Sequence, residues 1–272
     1  MKAIRRSGTV VALAGALALT ALSTAPAARA ASTGISVTNV VVNGGKPIVV
    51  GTTDAKEPSI DFRVTLPAGY SVDNTSRFTA EPFLYHGSTP AKGVAARDVL
   101  YTGSYTCYKV SSRVTDCKGF LWIPPSKLNS AADAGTWKVG FYGELISAGG
   151  SILAHEYKTA SGSAPVRRWA NLTANAGPEP VVKGKTLTVT GALTRADWAT
   201  HAYAGYGGQA VSLQFRKATG STYSTVKTVT AGSTGALKTT VTASVDGYWR
   251  WTFGGTPTTG TATATGDYVD VR

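Results

Sequence analysis

Apolar and polar residues alternate in short segments along most of this chain, and this alternation limits the fold more than any other feature. Successive side chains of a β-strand point to opposite faces, so a period of two predicts half-buried strands rather than helices. The segments end at Gly, Pro, Asn or Ser, which is typical of strands joined by turns. We expect an all-β fold with one short helix, at residues 126–134. The predicted strands are residues 35–42, 60–66, 78–85, 94–101, 120–123, 137–142, 186–193, 210–215, 223–229, 236–245, 248–253 and 268–271.

A stretch of small and polar residues, 159–164, ends at Pro165 and separates two sets of predicted strands. Such a composition is typical of a boundary between domains. The boundary predicts two domains, residues 31–164 and 165–272, each about the size of one β-sandwich. An internal echo supports this division, because residues 135–143 and 247–255 share the pattern Gly-x-Trp-base-apolar-x-Phe-x-Gly.

The first copy of the repeated pattern, residues 135–143, resembles part of a known family. Asp133, Gly135, Trp137 and Val139 look like the run that enters strand F of an immunoglobulin-like domain, Asp-x-Gly-x-Tyr-x-Cys. Trp137 stands at the Tyr position and Val139 at the Cys position, so the disulfide between the sheets of an antibody domain is not expected. The corresponding residues of the second half are Gly247, Trp249 and Trp251.

Residues 165–272 as a whole resemble the immunoglobulin-like repeats of secreted actinobacterial proteins. The resemblance is carried by residues 206–215, 246–253 and 266–269. It implies two immunoglobulin-like β-sandwich domains in tandem and the role of an extracellular accessory module. It supplies no catalytic residues.

The first 30 residues have the pattern of a secretory signal peptide. An apolar run, residues 10–22, is followed by Ala28-Arg29-Ala30, a small-x-small cleavage site. The run is shorter than the roughly 20 residues that a membrane-spanning helix needs. We therefore expect a cleaved signal peptide at residues 1–30 and a secreted, extracellular mature chain, free in the medium or held at the cell wall. The basic residues before the apolar run are Lys2, Arg5 and Arg6.

Four of the 27 basic residues lie in the signal segment, so the mature chain carries 23 bases against 15 acids, a net charge of +8. This excess favours weak, salt-sensitive attraction to anionic surfaces. Nucleic-acid binding would require bases interleaved with aromatics on one face, and only Arg167-Arg168-Trp169 approaches that pattern. The expected partners are a cell-wall polymer, a polysaccharide or an extracellular protein, and nucleic acid is not expected.

The two cysteines, Cys107 and Cys117, lie in two alternating segments that flank a polar turn. Folded as a hairpin about residue 112, the segments place the two cysteines opposite each other, within the reach of a disulfide. We predict one disulfide, which is typical of an oxidising compartment.

Motifs for catalysis or metal binding are missing from the sequence. The chain contains three separated histidines, His86, His155 and His201, and neither a His-Glu-x-x-His run nor a Gly-x-Ser-x-Gly elbow nor a calcium-binding Asp-x-Asp-x-Asp-Gly loop. We therefore predict a protein that is not an enzyme, with no cofactor and no metal. A Ser/His/Asp set assembled only in space stays open, because such triads are recognised by geometry.

Four aromatic residues, Trp198, His201, Tyr203 and Tyr206, lie in a Gly- and Ala-rich connection before a predicted strand. Aromatic residues on a loop at the end of a sandwich are candidates for ligand binding. The alternative is that they cap the core. The aromatic residues of the repeated pattern share one strand face and are expected to be core.

These patterns favour a secreted, non-catalytic binding or spacer module that acts at the cell surface or in the medium. One alternative is a carbohydrate-binding module that grips a polysaccharide with Trp198, His201, Tyr203 and Tyr206. Another is a secreted inhibitor of an extracellular hydrolase, with the Cys107–Cys117 hairpin as a preorganised inserting loop.

Overall fold

The computed structural model describes the backbone of Ile4–Ser7 and the whole of residues 32–272. The apolar run and the cleavage site of the predicted signal peptide lie outside the described residues. The strands are β1 Ile4–Ser7, β2 Ser36–Val42, β3 Ile48–Val50, β4 Ser59–Thr65, β5 Phe78–Tyr85, β6 Val99–Lys109, β7 Val114–Leu121, β8 Gly135–Ile146, β9 Ile152–Arg168, β10 Ala170–Leu172, β11 Asn175–Gly177, β12 Thr186–Asp197, β13 Ala202–Gly205, β14 Ala210–Lys217, β15 Ser224–Thr230, β16 Ala236–Thr242, β17 Gly247–Phe253, β18 Ala262–Thr263 and β19 Asp267–Val269.

Helical structure is short in the described residues. One α-helix, α1, spans Pro90–Ala95, and single 3-10 turns occupy Asn43–Gly45, Thr75–Arg77, Pro125–Lys127 and Ala131–Asp133. The predicted all-β class is therefore confirmed.

Two local predictions were wrong. The start of the predicted strand 94–101 lies in α1, because Thr89 accepts a hydrogen bond from the Lys92 N–H at 3.3 Å and Pro90 supplies a preset first helical residue. The predicted helix 126–134 is instead two 3-10 turns. The first turn ends at Lys127, with Leu128 as its C-cap, and the second begins after its N-cap Ser130, so the helix is interrupted at residues 128–130.

The described chain forms two compact units. The first consists of the described residues of Met1–Lys46 together with Lys56–Ile123 and Thr136–Ala164, and the second of Pro47–Ala55, Pro124–Gly135 and Pro165–Arg272. The small residues 159–164, expected to separate two strand sets, lie inside the long strand β9. The two short segments that join the second unit from the first half of the chain have no signal in the sequence.

The first unit is a β-sandwich in which one strand belongs to both sheets. One sheet has the order β2-β4-β7-β6, and the other has the order β6-β5-β8-β9. Strand β6 pairs with β5 through Val99 and Tyr101 and then with β7 from Thr102 onward. The crossing falls at a bulge at Gly103, where a Cβ atom would lie 2.5 Å from Cε2 of Phe120.

The core of the first unit comes from the inward faces of both sheets. Trp137, Val139 and Phe141 of β8 are at most 1% exposed, as the repeated sequence pattern predicts. The Tyr105 hydroxyl of one sheet donates to the carbonyl oxygen of Ala80 in the other, at 3.4 Å. Buried side chains facing those of β8 include Ile35, Val37, Ile60, Phe62, Val64 and Leu121.

The second unit is also a sandwich. One sheet places β10, β11, β13 and β16 around β12, and the other has the order β15-β14-β17 followed by β18 and β19. Trp251 of β17 is 0% exposed, and its indole N–H donates to the carbonyl oxygen of Thr190 in β12 at 3.0 Å. The same core contains Leu187, Val189, Leu193, Val211, Leu213, Trp249, Phe253 and Val269.

Both units have the strand arrangement of an immunoglobulin-like sandwich. Strand β8 lies between β5 and β9, and β17 lies between β14 and β19. Strand F has this central place in an immunoglobulin-like domain. The predicted fold class, immunoglobulin-like sandwiches in tandem, is confirmed.

The predicted disulfide is confirmed between Cys107 of β6 and Cys117 of β7. The two residues are cross-strand partners in the antiparallel ladder, and a polar turn of four residues, 110–113, joins the strands. The disulfide therefore stabilises one hairpin rather than the link between the two sheets.

Replacing both cysteines with Ser removes the disulfide, which closes a sequence separation of 10 residues. In the chain-entropy model the free energy of unfolding falls by about 2.8 kcal/mol. Urea unfolding of the oxidised wild type, the reduced wild type and the double variant measures this loss. The reduced wild type is the control, and its stability should match that of the double variant.

Candidate functional site

Trp198, the first sequence-predicted ligand residue, lies in the interior of the second unit. Its side chain is 1% exposed, and its indole N–H donates to the carbonyl oxygen of Gly51 at 3.2 Å. The ring therefore presents no free face to a ligand, and its position agrees with the alternative of core capping.

The other three residues of that set differ from one another. His201 lies in the turn before β13, with a positive φ of 51°, and is exposed. Tyr203 is 42% exposed and is the cross-strand partner of Ala196. Tyr206 packs edge-on against Phe253, with ring centroids 5.8 Å apart. The four residues do not present their rings on one common surface, and their joint role in ligand binding stays a prediction.

Changing Trp198 to Phe tests its structural role. The variant loses the hydrogen bond to Gly51 and leaves a buried carbonyl oxygen unpaired, so we expect about 1–3 kcal/mol less stability. Urea unfolding measures the loss, and Tyr203→Phe, which alters an exposed ring of the same unit, is the control. Equal stability of the two variants would contradict the structural role.

A larger group of aromatic side chains lies on the outward face of the β6-β5-β8-β9 sheet in the first unit. Cross-strand pairing places Phe83 of β5 beside Tyr101 of β6, and Glu81 of β5 beside Tyr142 of β8. Strand β9 adds Tyr157. Because cross-strand partners project to the same side of a sheet, these strands build one surface.

The rings contact one another in a continuous group. The Phe83 centroid lies 6.0 Å from that of Tyr101 and 6.2 Å from that of Tyr157. Tyr157 lies 5.1 Å from Tyr142, which lies 6.3 Å from His155. We refer to these five residues, Phe83, Tyr101, Tyr142, His155 and Tyr157, as the aromatic face.

The aromatic face has one buried ring, Phe83, at its centre, and exposed tyrosine rings around it. Phe83 is 1% exposed, whereas Tyr101 is 48% and Tyr157 is 41% exposed. Helix α1 packs against β8 next to Phe83. This close approach is possible because Gly140 has no side chain, and a Cβ atom there would lie 3.0 Å from Cβ of Pro90. The exposed tyrosine rings are therefore held from below by a packed residue.

Polar groups border the same face. The Tyr142 hydroxyl donates a hydrogen bond to the Glu144 carboxylate, two residues further along β8. Burial raises the pKa of Tyr142 well above its ordinary value of 10.0, and the hydrogen bond to Glu144 raises it further. Burial also raises the pKa of Tyr101, with a smaller contribution from Tyr157. Both phenols stay protonated across the physiological pH range.

This arrangement is suited to binding. Tyrosine rings offer flat apolar faces, and their hydroxyl groups together with the neighbouring carboxylates offer hydrogen-bonding groups at the edges. Four strands supply these side chains, so their positions are fixed by the sheet ladder rather than by a flexible loop. The aromatic face was missed in the sequence because its members are up to 74 residues apart and only strand pairing brings them together.

The dependence of the free energy of unfolding on pH above about 9 tests whether the pKa of Tyr142 is raised. Tyrosines in the unfolded chain ionise near pH 10, while folded Tyr142 keeps its proton, so stability falls as the pH rises through this range. Urea unfolding at about pH 9 and about pH 11 should show a smaller fall for Tyr142→Phe than for the wild type. Tyr203→Phe, which alters an exposed ring of the second unit, is the comparison variant. An identical fall for the wild type and Tyr142→Phe would contradict the protonated state.

Comparison with known proteins was made by family, by sequence and by structure. No protein-family model matches the chain, and no curated protein matches it either. Among solved structures, a marsupial T cell receptor is similar over 87% of this chain and 73% of its own, with 10% identity and a TM-score of 0.38.

Two further solved structures are similar to this chain with lower TM-scores. The fibronectin(III)-like modules of Clostridium thermocellum CbhA match over 85% of this chain and 92% of their own, with 11% identity and a TM-score of 0.27. The D00-D0 domain of Intimin matches over 86% and 98%, with 10% identity and a TM-score of 0.26. At such identities the likeness concerns the fold alone.

Two further observations concern the compartment. The Cys107–Cys117 disulfide is typical of proteins that fold outside a reducing cytoplasm. Among the helices of the described residues, none has the length and apolar character needed to cross a membrane.

Proposed function

We propose that this protein is a secreted, non-catalytic module that binds a polysaccharide on the aromatic face of its first unit. The observation that carries this proposal is the continuous set of tyrosine rings, two of them more than 40% exposed, over the buried Phe83. A contiguous exposed apolar patch on a secreted domain is typical of an interaction site.

The chemistry of sugars fits the composition of the aromatic face. The axial C–H groups of a pyranose ring form an apolar face that packs on an aromatic ring, and its hydroxyl groups lie at the rim. Tyr101 and Tyr157 offer rings for stacking on either side of Phe83. The Glu144 carboxylate and the Tyr142 hydroxyl lie where sugar hydroxyls could exchange hydrogen bonds.

The charges near Tyr142 favour a neutral polysaccharide over a polyanion. Glu81 is the cross-strand partner of Tyr142, and Glu144 accepts its hydroxyl hydrogen. Two carboxylates beside the stacking rings disfavour a uronate or phosphate group at this place. The net positive charge of the chain favours polyanions, whereas these two carboxylates act against them. The aromatic face is therefore expected to select a neutral polysaccharide.

Rigidity supports the same proposal. The Phe83 ring is packed between its neighbours, and the Tyr85 hydroxyl lies 3.3 Å from the Thr159 hydroxyl across the sheet. Side chains fixed before binding lose little conformational entropy when a ligand arrives. A preformed platform of this kind is suited to a ligand that itself is extended and repetitive.

Replacing Tyr157 with Ala removes the ring that joins the two halves of the aromatic face. We expect roughly tenfold weaker binding to insoluble polysaccharide, because about 1.4 kcal/mol of stacking is lost. Co-sedimentation of the wild-type protein and the variant with cellulose, chitin and isolated cell walls measures the change. Retention of the wild type should survive high salt, since stacking on a neutral sugar is not ionic.

The matched control is Tyr268→Ala, which removes a tyrosine of the same exposure, 41%, from the second unit. Tyr203→Ala separates the proposal from the sequence-predicted set of Trp198, His201, Tyr203 and Tyr206. If only Tyr203→Ala weakens retention, the sequence-predicted site is favoured. Unchanged retention of Tyr157→Ala, or retention of the wild type that salt abolishes, would overturn the proposal.

A further inference from the structure

The second unit contains a buried arginine that takes part in no ion pair of the described residues. Arg168, at the end of β9, is 8% exposed, and its Nε atom is buried with no hydrogen-bond partner among the described residues. Its backbone is fully used, because the N–H donates to the carbonyl oxygen of Thr258 at 3.0 Å and the carbonyl accepts from Gly260 at 2.9 Å. These two hydrogen bonds therefore fix the backbone position of Arg168.

A second unpaired polar group lies beside it. Thr259 is 0% exposed, and its hydroxyl oxygen also has no hydrogen-bond partner among the described residues. Arg168 and Thr259 are partners in a parallel bridge, so their side chains project to the same face. Buried polar groups nearly always have a partner, and two neighbouring exceptions on one face call for a common explanation. The third such atom of the described residues, Nε of Arg167, belongs to the preceding residue of β9, whose side chain projects to the opposite face.

A second cation, Arg195, is the cross-strand partner of Ala170, which lies two residues after Arg168, so both arginines project to one face. The Arg195 guanidinium of β12 stacks on the Tyr206 ring, 3.9 Å from its centroid. Burial lowers the pKa of Arg168, and the charge of Arg195 lowers it further, while Tyr206 and Asp197 offset this only in part. Neither arginine takes part in the ion pairs of the described residues, which involve Arg63, His86, Lys109 and Arg272.

A buried guanidinium destabilises the folded state unless an anion pairs with it, and a second positive charge on the same face adds to this cost. A water molecule could accept a hydrogen bond from Arg168 but carries no charge, and Asp197, the nearby carboxylate, forms no ion pair with Arg168. A guanidinium group matches two oxygen atoms of a carboxylate or phosphate, and a threonine hydroxyl can donate to the same group.

We propose that Arg168, Arg195 and Thr259 form a binding site for an oxyanion, a carboxylate or phosphate group. The site belongs to the second unit and does not depend on the aromatic face of the first. The same chemistry occurs in the uronate units of an acidic polysaccharide and in the phosphodiester units of a wall polymer. The shared feature is a pair of negatively charged oxygens that can reach a buried guanidinium.

Thermal unfolding of the intact, oxidised protein provides the test. At constant ionic strength, inorganic phosphate or acetate should raise the melting temperature in a saturable manner above the value in chloride, because the anion binds the folded state alone. Arg168→Met should abolish this rise. The ligand-free variant should melt no lower than the wild type, since an uncompensated buried charge has been replaced by an apolar side chain.

The matched control is Arg216→Met, which removes another arginine of the second unit that stacks on a tyrosine, Tyr248, at 4.1 Å. This variant should keep the full response to phosphate. Arg195→Met and Thr259→Val should each weaken the apparent affinity for phosphate, by about tenfold for the charged residue. These two variants also provide the test if Arg168→Met does not fold.

Several outcomes would overturn the proposal. One is an equal melting temperature in phosphate, acetate and chloride, and another is an equal anion response in the wild type and in Arg168→Met or Arg195→Met. A positive result leads to retention assays on immobilised polygalacturonate and poly(glycerol phosphate), which separate the two sources of the oxyanion. Tyr157→Ala should leave the phosphate response unchanged, so this proposal and the polysaccharide proposal can fail separately.

Discussion

The alternation of side chains along β8 is the constraint on which the first unit depends. Phe141 points into the core and is 1% exposed, while the next residue, Tyr142, stands on the outward surface beside Tyr157. A slip of one residue in the pairing of β8 would place Tyr142 and Glu144 in the core and Phe141 in solvent. Core packing therefore sets the geometry of the aromatic face as well, because both surfaces share one backbone.

Alternation in the sequence located most of the strands but could not identify the helix. Strand β5 occupies the predicted residues 78–85, and its first half shows the period of two, because Phe78 and Ala80 alternate with Thr79 and Glu81. The predicted strand 94–101 overlaps the helix only at residues 94–95, where the Thr89 cap and the fixed φ of Pro90 outweigh the strand pattern. The disulfide was predictable because both cysteines lie in one hairpin, where the turn alone sets their register.

The candidate sites were less predictable than the fold. Phe83 lies in an apolar run, Pro82-Phe83-Leu84-Tyr85, in which no alternation distinguishes the inward from the outward face. Trp198 follows β12 in a segment whose small residues suggested an exposed loop, yet the indole is buried against Gly51. The pairing of Arg168 with Thr259 joins residues 91 positions apart, and their unpaired polar atoms are visible only once the strands are assembled.

The disulfide between Cys107 and Cys117 spans an exposed turn that contains Arg113. An extracellular protease that cuts after a basic residue would break the backbone at this turn. The two pieces would remain joined through sulfur, and the ladder between β6 and β7 would hold the cut ends in register. The two fragments of the nicked protein would therefore stay covalently linked, and only electrophoresis under reducing conditions would separate them.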